Sequence, residues 1–301
     1  MVPGTKILVA TDLTETSEDA IRLGRAWAKG AGGEWIACHI VENALHNNVL
    51  FPQLVQQEAL ALVQVEREAE AALLEQVMRV TGETDDSGVS LMVELGSPAA
   101  AVVESAERIG AGLLVVGAGA RPGIGDARLG SVAERIVRYA HCPVLVARPQ
   151  RDSDVVLIAT DFSDTSLAAV RSGVDVARML GARVVLMHSI DVAPNRLVGL
   201  GVPFGTSPVV PPPDVLEELR KNVEVLLGDT AEREGIDAAF RVEQGDAPEA
   251  ICTVARQLEA KLVVLGTAGR TGWRRLALGS VAEQVARSAP CPVLIVRKGR
   301  G

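Results

Sequence analysis

The chain has 301 residues, of which 48% are hydrophobic, 23% charged and only 3% aromatic. That length allows two ordinary domains, and that balance excludes a mostly disordered chain. The formal charge of −8 excludes general attraction to nucleic acid or to an anionic membrane, since either needs a basic face. With so few aromatics, Val, Leu, Ile and Ala must fill the core, which favours a helix-covered parallel sheet. The chain opens on MVPGTKILVATD, where no basic segment leads into a long apolar one. No signal peptide is expected, no apolar run approaches the ~20 residues of a membrane span, and a cytoplasmic location is expected.

In chain order, apolar β-branched runs alternate with helical patterns. Strands are expected at 7–11, 35–41, 89–94, 113–117 and 144–147, and helices at 17–29, 56–80, 98–109 and 131–139. The same plan then repeats. ILVATD (Ile7–Asp12) returns as VLIATD, ACHIVE (Ala37–Glu42) as LMHSID, GSVAE (Gly130–Glu134) unchanged, and CPVL (Cys142–Leu145) unchanged. One shift of 149 residues carries Asp12 to Asp161, His39 to His188, Gly130 to Gly279 and Cys142 to Cys291. A constant register from first strand to last means a duplicated whole domain. The junction falls in PQRDS (Pro149–Ser153), giving expected domains 1–149 and 150–301. Each is expected to be a doubly wound α/β domain with five parallel strands and helices on both faces. After the second strand of the second copy, an irregular segment over 193–213 ends in PVVPPP. It reads as a solvent loop, with a flap over the carboxyl edge of the sheet as the functional alternative.

Two features of each copy carry chemistry. The fourth strand of the second copy ends at Gly266, a loop carries Gly269 and Gly272, and Gly279-Ser280 opens a helix. The first N–H groups of a helix lack internal partners and sit at the positive end of its dipole, so a glycine-flanked helix start suits phosphate. Arg270, Arg274 and Arg275 could add charge there, and Ser280 with Glu283 has the spacing of a capping box. Asp12 and Asp161 stand where the first strands end, the default ligand edge of such a sheet. Each reads either as an acceptor for ribose or adenine or as a turn residue, since TDLTETS and TDFSDTS are rich in capping side chains.

At this point the pattern resembles a known family. Gly266-x2-Gly269-x9-Gly279-Ser280 is similar to the nucleotide signature of the universal stress proteins, and the ATD strand end, HSID, GSVAE and CPVLIVR fit that family as well. The resemblance covers both copies and is to the ATP-binding branch. It implies a strand order of 3-2-1-4-5 with ATP, accompanied by Mg²⁺, at the carboxyl edge between strands one and four. It also implies pairing through last strands, so that Val144–Arg148 and Val293–Arg297 would join the copies as an internal pseudo-dimer, with homodimerisation left open. By position, Ala159, Thr160 and Asp161 would line base and ribose, with Ser189 against adenine where the family has an aliphatic residue. Leu265 and Gly266 would lead into the loop, and Gly269, Gly279, Ser280 and Val281 would cradle phosphates. The first-copy equivalents are Ala10, Thr11, Asp12, Ile40, Val116, Gly117, Gly130, Ser131 and Val132. There Ala120 replaces the second glycine while Gly119 sits one place early, so the second copy is expected to be the stronger site.

Little reads as catalytic. No HExxH, GxSxG, GxxxxGK[ST] or first-strand GxGxxG is present. His39 and His188 read as structural, Glu66, Glu68 and Glu70 as a solvated helix face, and no metal ligand set is expected. No CxxC pair occurs; Cys38 and Cys252 read as core thiols, Cys142 and Cys291 as packing residues before prolines. The resulting expectation is an ATP-binding stress-response regulator whose occupancy modulates conformation, association or partner contacts. A slow ATPase and a nucleotide-free structural stress protein are the alternatives.

Overall fold

A computed structural model describes residues 4–42, 52–82, 88–119, 129–191, 212–267 and 278–297, with side chains of 52–61 left aside. The chain divides into two units, Met1–Pro149 and Gln150–Lys298. In the first, strands β1 (Ile7–Thr11), β2 (Trp35–Val41), β3 (Ser90–Leu95), β4 (Leu113–Gly117) and β5 (Val144–Ala147) alternate with helices α1 (Glu18–Ala31), α2 (Pro52–Thr81), α3 (Pro98–Arg108) and α4 (Ser131–Tyr139). In the second, β6 (Val155–Ala159), β7 (Arg183–Ile190), β8 (Ala238–Gln244), β9 (Leu262–Gly266) and β10 (Val293–Val296) alternate with α5 (Asp164–Leu180), α6 (Pro213–Arg233), α7 (Ala247–Gln257) and α8 (Ser280–Ser288).

Each unit has the expected doubly wound sheet. The orders are β3-β2-β1-β4-β5 and β8-β7-β6-β9-β10, so the first strand of each unit sits between its second and fourth. Pairing within each unit is parallel, for example Val9 opposite both Ala37 and Val115. In the second unit Leu157 likewise lies opposite Val185 and Val263. The central strands are apolar throughout because both faces are covered: Ile7, Leu8, Val9, Leu157 and Ile158 are completely buried. Each such side chain contributes on the order of 1.5–3 kcal/mol by leaving water. The edge strands differ: β8 alternates half-buried and exposed residues and carries Arg241 and Glu243, as suits a strand with one open side. The core-facing stripe of α1 is Ala20, Ile21, Leu23, Gly24, Trp27 and Ala28, the i, i+3, i+4 spacing of a helix lying on a sheet.

Several local expectations shift. A single 3-10 turn, Glu15–Ser17, precedes α1, which therefore starts at Glu18. The long helix α2 begins at Pro52, where proline is tolerated because a first-turn N–H has no acceptor to lose. The capping box does not form. Gly279 is the N-cap of α8 and Ser280 the first helical residue, while Glu283 turns to Arg287 at 2.8 Å. The reason is that Gly279 is itself held in place, its N–H bonded to Thr267 O at 2.7 Å and its carbonyl to Glu283 N at 3.0 Å. Most of the 193–213 segment, with PVVPPP, and the glycine–arginine loop carrying Gly269, Arg270, Gly272, Arg274 and Arg275 lie outside the described residues. So do Ala120 and His46.

Candidate functional site

In a parallel sheet whose order reverses beside its first strand, the loops leaving neighbouring strands diverge and open a crevice at the carboxyl edge. In the first unit that crevice, between β1 and β4, holds a cavity of about 380 Å³. Its volume falls within the roughly 300–1,000 Å³ of sites that enclose small molecules. All nine first-copy candidates line it. Ala10, Thr11 and Asp12 come from the end of β1, Ile40 from β2, Val116 and Gly117 from β4, and Gly130, Ser131 and Val132 from the start of α4. A larger cavity of about 580 Å³ in the second unit, lined by Arg183, Val184, Ala238 and Ala239 among others, holds none of the candidates.

Asp12 brings a carboxylate to the lining of the first-unit cavity. Asp12 Oδ1 accepts from Thr14 N at 3.0 Å and from Thr14 Oγ1 at 2.6 Å. The aspartate is thus a turn residue and a cavity residue at once, and both of these bonds fall on a single carboxylate oxygen. Asp161 repeats the arrangement, with Oδ1 accepting from Ser163 N at 3.1 Å and Ser163 Oγ at 2.6 Å. Ser163 in turn caps α5 through Ser166 N. The residue after each aspartate is left-handed, Leu13 and Phe162 both at φ 63°. A non-glycine residue in that region costs roughly 1–2 kcal/mol. The bonds from Leu13 N to Thr11 Oγ1 and from Phe162 N to Thr160 Oγ1, both 3.0 Å, hold it there.

The threonine hydroxyls face inward rather than toward a ligand. Thr11 Oγ1 meets Ser17 Oγ at 2.7 Å and Gln76 Oε1 at 2.7 Å, and Gln76 Nε2 donates to Thr14 O at 3.0 Å. Buried Gln76, far off on α2, therefore fixes the loop that carries Asp12. Among the described residues the second unit shows the shorter link, Thr160 Oγ1 to Ser166 Oγ at 3.0 Å.

The start of α4 brings donors to the same lining. Gly130 is the N-cap of α4 and has no side chain to cap it; its N–H bonds Ala118 O at 2.8 Å, and its carbonyl receives Glu134 N at 2.9 Å. The first-turn N–H groups of Ser131 and Val132 and the Ser131 hydroxyl thus edge the cavity together with the positive end of the α4 dipole.

Two glycines have separate causes. A Cβ on Gly117 would lie 2.9 Å from Thr16 O, and one on Gly266 3.0 Å from Thr165 O, so the first signature glycine lets the chain's own loop approach β4 or β9. Gly119 has φ 67° and packs on Gly130, a Cβ there lying 3.4 Å from Gly130 Cα. Gly119 thus takes a left-handed conformation, while Ala120 lies outside the described residues.

The histidines do make the structural bond expected of them. His39 Nδ1 is 3.0 Å from Thr11 O and His188 Nδ1 2.7 Å from Thr160 O. His39 also lines the cavity, beside Glu42, and the His188 ring lies 5.0 Å from Phe162. Pro98 and Val102 of α3 and Ile136 of α4 complete an apolar wall with Ile40. Sequence reading noted Gly119 as a displaced glycine but missed Gln76, Pro98, Val102 and Ile136; of these only the i, i+4 pair Pro98 and Val102, two places after Gly96, carried any local signal.

In the second unit, Ala159 and Thr160 close β6 and are buried, Leu265 and Gly266 close β9, and Gly279, Ser280 and Val281 open α8, in the same order as in the first. Ser189 Oγ donates to Gly245 O at 2.8 Å, so its hydrogen is committed to the backbone. Gly269 lies outside the described residues. Cys38 is buried, and burial pushes its thiol up to about 12, which leaves it protonated and inert. Among the described residues no three His, Cys, Asp or Glu side chains stand together as a metal cage, and no helix is long and apolar enough to cross a membrane.

Comparison with known proteins agrees with this architecture. The model of the universal stress protein family matches residues 4–148 and again 153–297. A universal stress protein of Methanocaldococcus jannaschii is 34% identical over 143 residues, 48% of this chain and 81% of its own. One from Mycolicibacterium smegmatis is 27% identical over 303 residues, covering 97% of this chain and 96% of its own. One from Mycobacterium tuberculosis is 33% identical over 177 residues, 56% of each chain. Among solved structures, a universal stress protein from Archaeoglobus fulgidus superposes with a TM-score of 0.63 at 19% identity, covering 98% of both chains.

Proposed function

Because the chain belongs to the universal stress protein family, twice over along its length, we propose that it is an adenine-nucleotide-binding regulatory protein. The observation that carries this reading is the mixed lining of the first-unit cavity. Carboxylates (Asp12, Glu42), the first-turn residues of α4 (Ser131, Val132) and apolar Ile40, Pro98 and Val102 all border it. A nucleotide has the complementary pattern: hydroxyl and amino donors, a flat apolar base and an anionic tail. Asp12 would hold the ribose through its second carboxylate oxygen. Gly130, Ser131 and Val132 would hold phosphate through backbone N–H groups and the Ser131 hydroxyl. Asp161, Gly279, Ser280 and Val281, with Gly269, would act alike in the second unit. Magnesium would bind through phosphate oxygens and water, its usual mode with nucleotides, and needs no protein cage.

Ligand on the first turn of α4 or α8 favours whichever conformation keeps that turn and its glycine loop in place, so occupancy shifts the population of states. Titration of the purified full-length protein with ATP by calorimetry checks the binding; no heat and no competition by AMP or ADP at millimolar ligand sinks it. Oligomer mass and amide protection with and without ATP check the switch, which is lost if both stay unchanged at saturation. ATP turnover is followed in parallel: steady product formation that disappears in Gly279→Asp would make the protein an enzyme instead.

A further inference from the structure

The turn that carries Asp12 is held from outside its own stretch of chain. Asp12 and Thr14 are exposed, where water competes for every hydrogen bond. Gln76 of α2, only 4% exposed, ties that turn to the interior. Its Oε1 accepts from Thr11 Oγ1 at 2.7 Å, and its Nε2 donates to Thr14 O at 3.0 Å. One amide thus clamps both ends of the segment 11–14, which contains Asp12 and left-handed Leu13. From Thr14 the hold passes on, since its N–H and hydroxyl both donate to Asp12 Oδ1. Turning the carboxylate away means giving up bonds that Gln76 keeps in register.

The second copy is a comparison within the same chain. Ser163 holds Asp161 as Thr14 holds Asp12, but Ser163 Oγ also caps α5, accepting from Ser166 N at 3.3 Å. Thr14 makes no such cap bond; a 3-10 turn follows it, and α1 starts only at Glu18. The buried face near the end of α2, Leu73, Gln76 and Val77, has its match in Leu227, Thr230 and Ala231 of α6. There Thr230 gives its hydroxyl hydrogen to Leu226 O of its own helix, at 2.7 Å. The second turn is held by a cap from within, the first by a clamp from a distant helix.

We infer that Gln76 is a positioning residue of the first-unit site. It sets the Asp12 carboxylate for the ribose hydroxyls and so ties nucleotide affinity there to the seating of α2, a dependence that the second-unit site does not share with α6. This assignment rests on the nucleotide reading above and adds to it how one of the two sites is controlled.

Binding is measured in the full-length protein carrying Gly279→Asp, so that the first-unit site alone reports. The probes are ATP and 2′,3′-dideoxy-ATP, which lacks the hydroxyls that Asp12 would hold. With Gln76 in place, ATP is expected to bind more tightly. Gln76→Leu, similar in size and suited to a buried position, is expected to reduce that preference about five- to tenfold while dideoxy-ATP affinity stays the same. A loss of packing alone would weaken both nucleotides alike. Equal weakening, or an unaltered preference, therefore overturns the assignment and leaves the nucleotide reading standing. The matched change Thr230→Val, made with Gly130→Asp, is expected to leave the second-unit preference as it was; a comparable fall there overturns the contrast between the units. Should leucine unfold the protein, Gln76→Glu keeps the shape and the acceptor for Thr11 but loses the donor to Thr14, and the same outcomes decide. If neither variant folds, hydrogen exchange at the native Gln76 side-chain amide decides: slower exchange with ATP than with dideoxy-ATP supports the assignment, and equal rates overturn it. ATP held no better than dideoxy-ATP with Gln76 intact overturns the role of Asp12 and this assignment together. Binding of neither nucleotide overturns the nucleotide reading of the first unit as well.

Discussion

A glycine at a helix N-cap leaves the first N–H groups of the helix without a side-chain acceptor, and Gly130 does this beside the cavity. Its φ of −64° is open to any residue, and a Cβ there would meet nothing nearer than Gly119 Cα at 3.5 Å. Gly130→Asp therefore fits. Aspartate is as good an N-cap as any, so stability should hold or rise by a few tenths of a kcal/mol. Its carboxylate would occupy the N–H groups and repel phosphate, so ATP affinity at that site should fall at least about tenfold, near the 1.4 kcal/mol of a lost charge-assisted contact. Thermal circular dichroism and calorimetric titration read the two effects separately. A variant that binds ATP as well as wild type would show that phosphate does not sit at this helix start. Gly130, Ser131 and Asp12 were legible in the chain because the motif spacing repeats and resembles that of a known family; taken alone, glycine before a helix and aspartate after a strand are also ordinary turn residues. Leu13 was not, because nothing in a leucine announces a φ of 63°; that conformation is imposed by the Thr11 hydroxyl and the turn around it.

At the scale of elements, α2 is tied to the loop after β1 and to the start of α1 by contacts that join residues more than sixty positions apart. One is buried Gln76 on Thr11 and Thr14. The other is Glu18, which pairs with Arg79 at 2.6 Å while also holding Arg22 on its own helix at 2.6 Å. The hydrogen bond from Arg79 is the main cause that holds the Glu18 carboxyl below its ordinary value. A carboxyl depressed in the folded state contributes stability above its unfolded value and loses it as pH falls through the folded one. Glu18→Gln should therefore lower the melting temperature at neutral pH, and the difference from wild type should close in acid. Because Arg79 is 55% exposed, the difference should also shrink in high salt. Thermal melts across pH and salt measure this; a gap that persists in acid would assign the loss to packing. Helical periodicity made α2 visible as an element. It could not name what α2 grips, because a contact between distant residues leaves no period in either segment. The capping box at Ser280 failed for a related reason: the spacing was present, but a neighbouring strand end held Gly279 and moved the helix start by one residue.

At the scale of the molecule, each half carries the same parts 149 residues apart, down to the left-handed Leu13 and Phe162. The expectation of a weaker first site rested on Ala120. Ala120 and Gly269 lie outside the described residues, and the first-copy candidates line one cavity, so both halves are expected to bind. The expected stoichiometry is two ATP per chain, falling to one in Gly130→Asp or Gly279→Asp and to none in the double variant, as read by calorimetry. A wild-type stoichiometry of one, abolished by Gly279→Asp alone, would return the first half to the weaker role. The sequence by itself determined the duplication, the parallel α/β class and the strand and helix ends that carry the candidate residues. These are written in local composition and in a register that no insertion has broken. Only the tertiary structure decided which atoms of those residues remain for a ligand. The Thr11 hydroxyl, the Ser189 hydrogen and the inner nitrogen of His39 are all taken by groups distant in the chain. A hydrogen-bonding group has few valences, and what is left for a ligand is settled by the neighbours that folding brings to it.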